Sequence, residues 1–490
     1  MPSALANVLL LSLFPFGSLA AAASASKFAG SVTSFAYPPT GTAAPTTYFP
    51  DASQVGYGGP TPTGDEAAAI ETAPSEVKVD SIYPLIHPAA SDTKAAAFDV
   101  TKHWGNLSPM QSVDGVLSDT SPQIPAGYEL RQVHLLHRHG ARYPTSGAGP
   151  ATFAAKLQSI ANSTGFSASG PLEFLNTWTY KLGAEILTPF GRGQLFDLGV
   201  GFRVQYGDLL KGFSKLPVFR TTSEDRMVDS ALHFAAGFFG VRTYQTDYNQ
   251  VIIIEESGFN NTLAPYEQCN NSNSDAIGYF GSVAAANWSA IYLKPAVKRL
   301  GSLLKGVNLT VTDVSDMQST CAYETVALGY SEFCGLFTEE EWKGFEYSID
   351  LEFWYSDGPG QPTAAAQGIG YVQELVSRLT RTPITVADST TNGTLDQNNI
   401  TFPLDQPIHG SNEATHIRWI LNDAVLPLTG MKGCKEDKDG LCELSTFISA
   451  MKARIGEVDF NFDCNGNYTI PQPDKIVDGR YPSWLRNATA

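Results

Sequence analysis

Residues 128–140, YELRQVHLLHRHG, alternate apolar and polar side chains and end on Gly140. That period of two predicts a strand, and the glycine predicts that the strand hands its last residues to a loop. Downstream, residues 150–162 read as a helix. Residues 187–210 open with Thr188 before Pro189, an N-cap followed by a first-turn proline, and continue with helical apolar spacing. Residues 215–220, KLPVFR, read as a short strand, 223–240 as a helix capped by Ser223 and stopped by Gly240, and 250–256, QVIIIEE, as a buried strand. Strands alternating with helices predict an α/β fold, a mostly parallel sheet with helices on both faces. Between residues 258 and 379 the pattern turns mainly helical, which marks a helical insertion domain. Strand character returns at 383–387, 400–408 and 416–428. The expected division is a discontinuous α/β domain over 95–257 and 380–490 around that insertion.

The 490 residues carry 32 Lys and Arg against 49 Asp and Glu, a net charge of −17, with 43% hydrophobic and 11% aromatic positions. Phosphate backbones are held by an excess of cations, so no nucleic-acid partner is expected. The aromatic content excludes disorder of the whole chain. Residues 1–23 place an apolar run at 9–16 before small residues, the pattern of a secretory signal peptide. Residues 24–94 are rich in Ala, Ser, Thr, Pro and Gly and read as a low-complexity flexible arm. No other apolar run approaches membrane-spanning length, so no membrane partner is expected. Ten Asn-x-Ser/Thr acceptors and six cysteines, an even set, suit a secreted, extracellular or cell-wall glycoprotein. Six cysteines allow fifteen pairings, of which only the local pair Cys434–Cys442 is singled out by proximity.

At the end of the predicted strand, residues 135–147, LLHRHGARYPTSG, place Arg138 and Arg142 around His139 and Gly140. The carboxyl edge of an open α/β sheet is where ligands bind. Two guanidiniums flanking one imidazole, beside a glycine that admits backbone amides, form an anion cradle, and the imidazole there could attack phosphorus. Arg220, at the end of the neighbouring predicted strand, is the third cation such a cradle needs. The competing reading makes His139 an ordinary core or surface histidine and Arg220 a surface residue paired with Glu224 or Asp225. Metal binding by His134, His137 and His139 is disfavoured: on a strand His134 points away from the other two, and the two arginines repel a dication. No G-x-S-x-G, P-loop or dinucleotide fingerprint occurs, and the chemistry asks for no cofactor.

Together with RHGARYP (138–144), the segments LTPFGRGQ (187–194), FRTTSEDRMVDSALHFAAGFF (219–239), VIIIEESGFNNTLAPYEQC (251–269), CAYETVALGYSEFC (321–334) and QGIGYVQELVSRLT (367–380) occur in one order. That order resembles the fungal histidine acid phosphatases, which include the phytases, over roughly residues 95–480. The resemblance implies a phosphoglycerate-mutase-like fold and a secreted acid phosphatase acting on small-molecule phosphomonoesters, with phytate one candidate. It implies His139 as the nucleophile that becomes a phosphohistidine, and Arg138, Arg142 and Arg220 as ligands of the phosphoryl oxygens. Like charges from Arg138 and Arg220 are expected to lower the pKa of His139.

In one respect the chain departs from that pattern. The family carries a His-Asp pair, the proton donor, soon after a strand resembling FPLDQPI. Here FPLDQPI runs straight into HGSNEATHIRWILNDAVLPLTG, the family's late strand, with no His-Asp between. His409, His416 and Glu413 are the remaining candidates for a donor. The alternative function is therefore a noncatalytic or crippled phosphate-binding pseudoenzyme. Oligomeric state is left open by the sequence.

Overall fold

The computed structural model describes residues 98–113, 118–385, 388–405 and 414–486, together with Thr47, Phe49 and Gly64. The signal-peptide expectation (1–23), nearly all of the flexible arm (24–94), His409 and Glu413 lie outside the described residues.

Local sequence accounts for the helices that frame the site. Helix α1, Pro150–Ala161, starts on a proline that needs no amide partner. Helix α2, Pro189–Tyr206, begins as expected: Thr188 adopts extended geometry and its hydroxyl accepts from the Gly191 amide. Strand β1, Ser167–Ala168, pairs with β4, Leu304–Lys305. Strand β2, Val218–Thr222, lies parallel to β3, Asn249–Ile253, with Thr222 opposite Ile253. Between them runs helix α3, Asp225–Phe239, stopped by Gly240 at φ 94°. Its N-cap is Glu224 rather than Ser223. The Ser223 hydroxyl is committed elsewhere, accepting from the Glu255 amide at 3.0 Å.

The following stretch is helical, as predicted. Helices α4 (Phe280–Tyr292), α5 (Lys294–Gly301), α6 (Val311–Leu328), α7 (Glu339–Ser356) and α8 (Ala364–Thr380) succeed one another. Thr310 with Asp313, and Thr338 with Glu341, form reciprocal capping boxes that fix the starts of α6 and α7. The largest apolar cluster joins these helices to the α1 region: Phe153, Leu157, Leu172 and Leu175 pack with Leu293, Val314, Met317, Phe333 and Trp342.

Near the C-terminus, β5 (His416–Ile417) pairs with β8 (Cys442–Glu443), and β6 (Trp419–Leu421) forms a hairpin with β7 (Ala424–Leu426). Asn422 and Asp423 at φ 43° and 72° make the two-residue turn that matches strand twist. The expected bridge Cys434–Cys442 is present, with Cys269–Cys464 and Cys321–Cys334.

The α/β class with a helical part stands, but the parallel ladder is narrower than the sequence predicts. Among the described residues it consists of β2 and β3 alone. Residues 129–139 make no ladder bonds, and 383–385 and 400–405 form coil and turns rather than strands. A central strand needs both edges filled by partner backbone. Among the described residues no strand pairs with 129–139, so alternation at 128–140 does not become a ladder, and Leu135 and Leu136 are left exposed.

Candidate active site

Although residues 128–140 lack a ladder, the loop that ends them is tightly held. The Gly140 amide donates to Ser230 Oγ of α3 at 3.3 Å, and the Ala141 amide to Gln194 Oε1 of α2 at 2.9 Å. Thr188 N donates to Ala141 O at 3.0 Å, and Tyr143 N to Ile186 O at 3.0 Å. Backbone meets backbone here: a Cβ on Gly140 would lie 2.2 Å from Gly191 O, and one on Gly191 would lie 1.9 Å from Ala141 O. The two glycines let the start of α2 press directly on the loop that carries His139.

His139 Nδ1 donates to Gly140 O at 2.7 Å, which leaves Nε2 as the lone-pair nitrogen. Burial pulls the imidazole pKa down to about 3, with Arg138, Arg142 and Arg226 adding to the effect against the backbone hydrogen bond. The ring is therefore neutral at mildly acid pH. Its lowered pKa matches the expectation, but the leading cause is burial and the third arginine is Arg226, not Arg220.

Each guanidinium is positioned by its own partners. Arg138 Nη1 donates to Asn106 O at 2.8 Å. Arg142 Nη1 donates to Tyr143 O at 2.8 Å and lies 3.7 Å from Glu185 Oε2. Arg226 Nη1 sits 3.4 Å from the same Glu185 oxygen, and its Nη2 pairs with Glu224. Arg220 behaves differently. It is nearly buried, donates from Nη1 to Glu374 Oε2 at 2.7 Å, and pairs through Nη2 with Asp396. Glu374 also meets Arg378 at 3.2 Å and accepts from Thr262 Oγ1 at 2.5 Å. Arg220 is thus carboxylate-paired, but by Glu374 and Asp396 rather than by Glu224 or Asp225. Its Nε, like that of Arg226, is buried with no hydrogen-bond partner among the described residues.

A cleft of about 350 Å³ is lined by Arg138, His139, Arg220 and Glu374 together with Phe219, Phe234 and Phe238. His134 also lines it, its pKa lowered to about 4 by burial and Arg378. His137 stacks on Phe234 at 5.1 Å. His416 is not in this cleft. It lies on β5, with Nδ1 2.9 Å from Thr415 Oγ1 and its ring edge-on to Tyr128.

The structure therefore gathers Arg138, His139 and Arg142, places Arg220 on the same cleft in a buried ion network, and separates His416. Arg226, Glu185, Glu374 and Asp396 were missed by sequence reasoning. Arg226 alone had a signal: it sits in the first turn of the helix that leaves the carboxyl end of β2. Glu185 comes from the segment just before α2, Glu374 from α8 and Asp396 from the turn at 392–396, the last two far away in sequence.

Residues 129–411 match the histidine phosphatase superfamily (branch 2). The chain is 37% identical over 353 residues to Phytase A of Emericella nidulans, covering 68% of this chain and 73% of the relative. It is also 37% identical over 428 residues to Phytase A of Aspergillus fumigatus, covering 73% and 89%. Among solved structures, a phytase from D. castellii superposes with a TM-score of 0.59 at 22% identity, covering 82% of this chain and 94% of that one, and so shares its fold. The chain belongs to branch 2 of the histidine phosphatase superfamily, within the histidine acid phosphatase and phytase family.

Proposed function

We propose that this phosphatase is a secreted enzyme that hydrolyses small-molecule phosphomonoesters, phytate being one candidate, through a phosphohistidine on His139. The observation that carries this reading is the orientation of His139: Nδ1 is spent on Gly140 O, and Nε2 remains free in a cluster of arginines. Nε2 attacks phosphorus, the ester P–O bond breaks, and the leaving oxygen departs with the electron pair. Water then attacks the phosphohistidine, releasing phosphate and regenerating the imidazole. Arg138, Arg142 and Arg226 spread positive charge around the transferring phosphoryl group, the largest usual contribution to such catalysis. Arg220 offers its buried Nε–H from the cleft wall. Residues 258–379 act as the helical domain and the flanking segments as the phosphatase domain. Secretion is supported by the N-terminal apolar run, ten sequons and three disulfides.

A second reading, a phosphate-binding protein crippled by the loss of its acid, is favoured by one observation. His416, the one described member of the three sequence-level donor candidates, lies outside the cleft. The test is hydrolysis at about pH 5 of an aryl phosphate, an alkyl phosphate and phytate by the wild-type chain and by His139→Ala, the donor itself being worth roughly 10² to 10⁴ in rate. Turnover lost in the variant supports the enzyme; phosphate binding with no turnover of any ester supports the second reading.

A further inference from the structure

Resting on the phosphomonoesterase reading, we propose that the carboxyl of Glu224 is the proton donor to the leaving alcohol, standing in for the absent His-Asp acid. The argument begins with the parallel pair. Thr222 and Ile253 are in register at the carboxyl ends of β2 and β3. Glu224 and Glu255 each follow two residues later, so two carboxyl groups leave the same sheet edge side by side. The Ser223 hydroxyl, bonded to the Glu255 amide at 3.0 Å, ties the two ends together. That edge is where open α/β sheets bind ligands.

A chain of ion pairs links Glu224 to the cradle. Its carboxylate pairs with Arg226, Arg226 meets Glu185 at 3.4 Å, and Glu185 meets Arg142 at 3.7 Å. Arg142 and Arg226 both act on the His139 imidazole. Glu224 is the N-cap of α3 but makes no side-chain cap hydrogen bond, so its carboxyl is not committed to holding the helix.

The surroundings divide the labour between the two acids. Tyr266 donates its hydroxyl to Glu255 Oε1 at 2.8 Å, so the Glu255 carboxylate is already engaged by a donor. Glu224, with 20% of its side chain exposed, interacts with Glu255 and Glu185 and with Arg226 and Arg142. Burial and Glu255 prevail over the arginines and push the Glu224 pKa up to about 7. Paired carboxyls in unlike environments are how one acid keeps a proton at working pH. In the step, the His139 Nε2–P bond forms, the P–O ester bond breaks, and the Glu224 proton passes to the departing oxygen. The resulting carboxylate takes a proton from the water that next cleaves the N–P bond, which restores the acid. No other reactant is required.

The experiment measures kcat/KM from pH 4 to 8 on 4-nitrophenyl phosphate and glycerol 2-phosphate for wild type, Glu224→Gln, Tyr266→Phe and His139→Ala. An aryl oxygen leaves as a stable anion, and an alkyl oxygen needs the proton. Glu224→Gln is therefore expected to lower alkyl turnover by about 10² to 10⁴ and aryl turnover far less. Wild-type alkyl turnover should fall with a limb near pH 7. Tyr266→Phe should move that limb, because it removes the hydrogen bond that holds the carboxylate beside Glu224. Equal loss on both substrates in Glu224→Gln, a limb that Tyr266→Phe leaves in place, or no alkyl turnover by wild type would each overturn the proposal. If Glu224→Gln does not fold, the wild-type and Tyr266→Phe profiles decide. Aryl turnover surviving in His139→Ala would instead overturn the phosphohistidine reading beneath it.

Discussion

Replacing Gly140 by alanine tests whether backbone contact at the start of α2 holds the nucleophile in place. The added Cβ would lie 2.2 Å from Gly191 O and 2.6 Å from Leu195 Cδ2. Ordinary contact needs about 3.5 Å, so the loop must retreat by roughly 1.3 Å. The loop cannot retreat freely, because the Gly140 and Ala141 amides are bonded to α3 and α2 at 3.3 and 2.9 Å. Overpacking of this kind costs about 1–3 kcal/mol. A displacement of about 1 Å at a reacting group costs on the order of 10²-fold in rate. Gly140→Ala should thus lower both melting temperature and kcat for an aryl phosphate. Gly191→Ala, whose Cβ would meet Ala141 O at 1.9 Å, should do the same from the opposite side. Gly193→Ala, on the same helix with nothing within 4 Å, is the control and should stabilise by about 0.5–1 kcal/mol with kcat unchanged. Wild-type kcat and melting temperature in Gly140→Ala would refute the argument, as would an equal loss in Gly193→Ala.

Further outcomes follow from the same geometry. Glu374→Ala strips partners from buried Arg220 and from Arg378 and should destabilise by about 3–5 kcal/mol, read by chemical denaturation. Loop-closure entropy scales with separation, so opening Cys269–Cys464 (195 residues apart) should cost about 5 kcal/mol and opening Cys434–Cys442 (8 apart) about 2.5, with Cys→Ala pairs compared by denaturation midpoint. Burial, then Asp313, raises Asp316 to about 7, so its folded form prefers the proton. Its contribution is full below the unfolded pKa near 4 and is lost as pH rises through about 7. Asp316→Asn should raise the melting temperature at pH 7.5 and change little at pH 4; the reverse order would contradict the assignment.

How much was legible in the sequence depended on whether its signals were local. Thr188–Pro189, Gly240 and the Cys434–Cys442 bridge act within a few residues and were readable, whereas 416–428, read as one run of strand character, is broken by the turn at Asn422–Asp423. The Ser223 cap failed because a hydroxyl that could serve the helix is taken by the Glu255 amide, a partner 32 residues away. The strand at 128–140 failed for a related reason. Alternation describes a side-chain pattern, whereas a ladder needs neighbouring backbone, which a single segment cannot supply. At the site, Arg138, His139 and Arg142 were legible because they share one loop. Arg220 was readable as a candidate third cation of the cradle, but not as a buried residue or as the partner of Glu374 and Asp396, 154 and 176 residues away. Arg226 was hidden because a first-turn arginine beside Glu224 and Asp225 reads as an ordinary helix-start ion pair.

The most direct test of the central claim is to trap the intermediate. Wild-type protein mixed with an aryl phosphate at about pH 5 and quenched in base should carry one base-stable phosphoryl group per chain, mapped by mass spectrometry to His139 and absent from His139→Ala. Ester turnover with no such adduct, or with the phosphoryl group on another residue, would contradict the account.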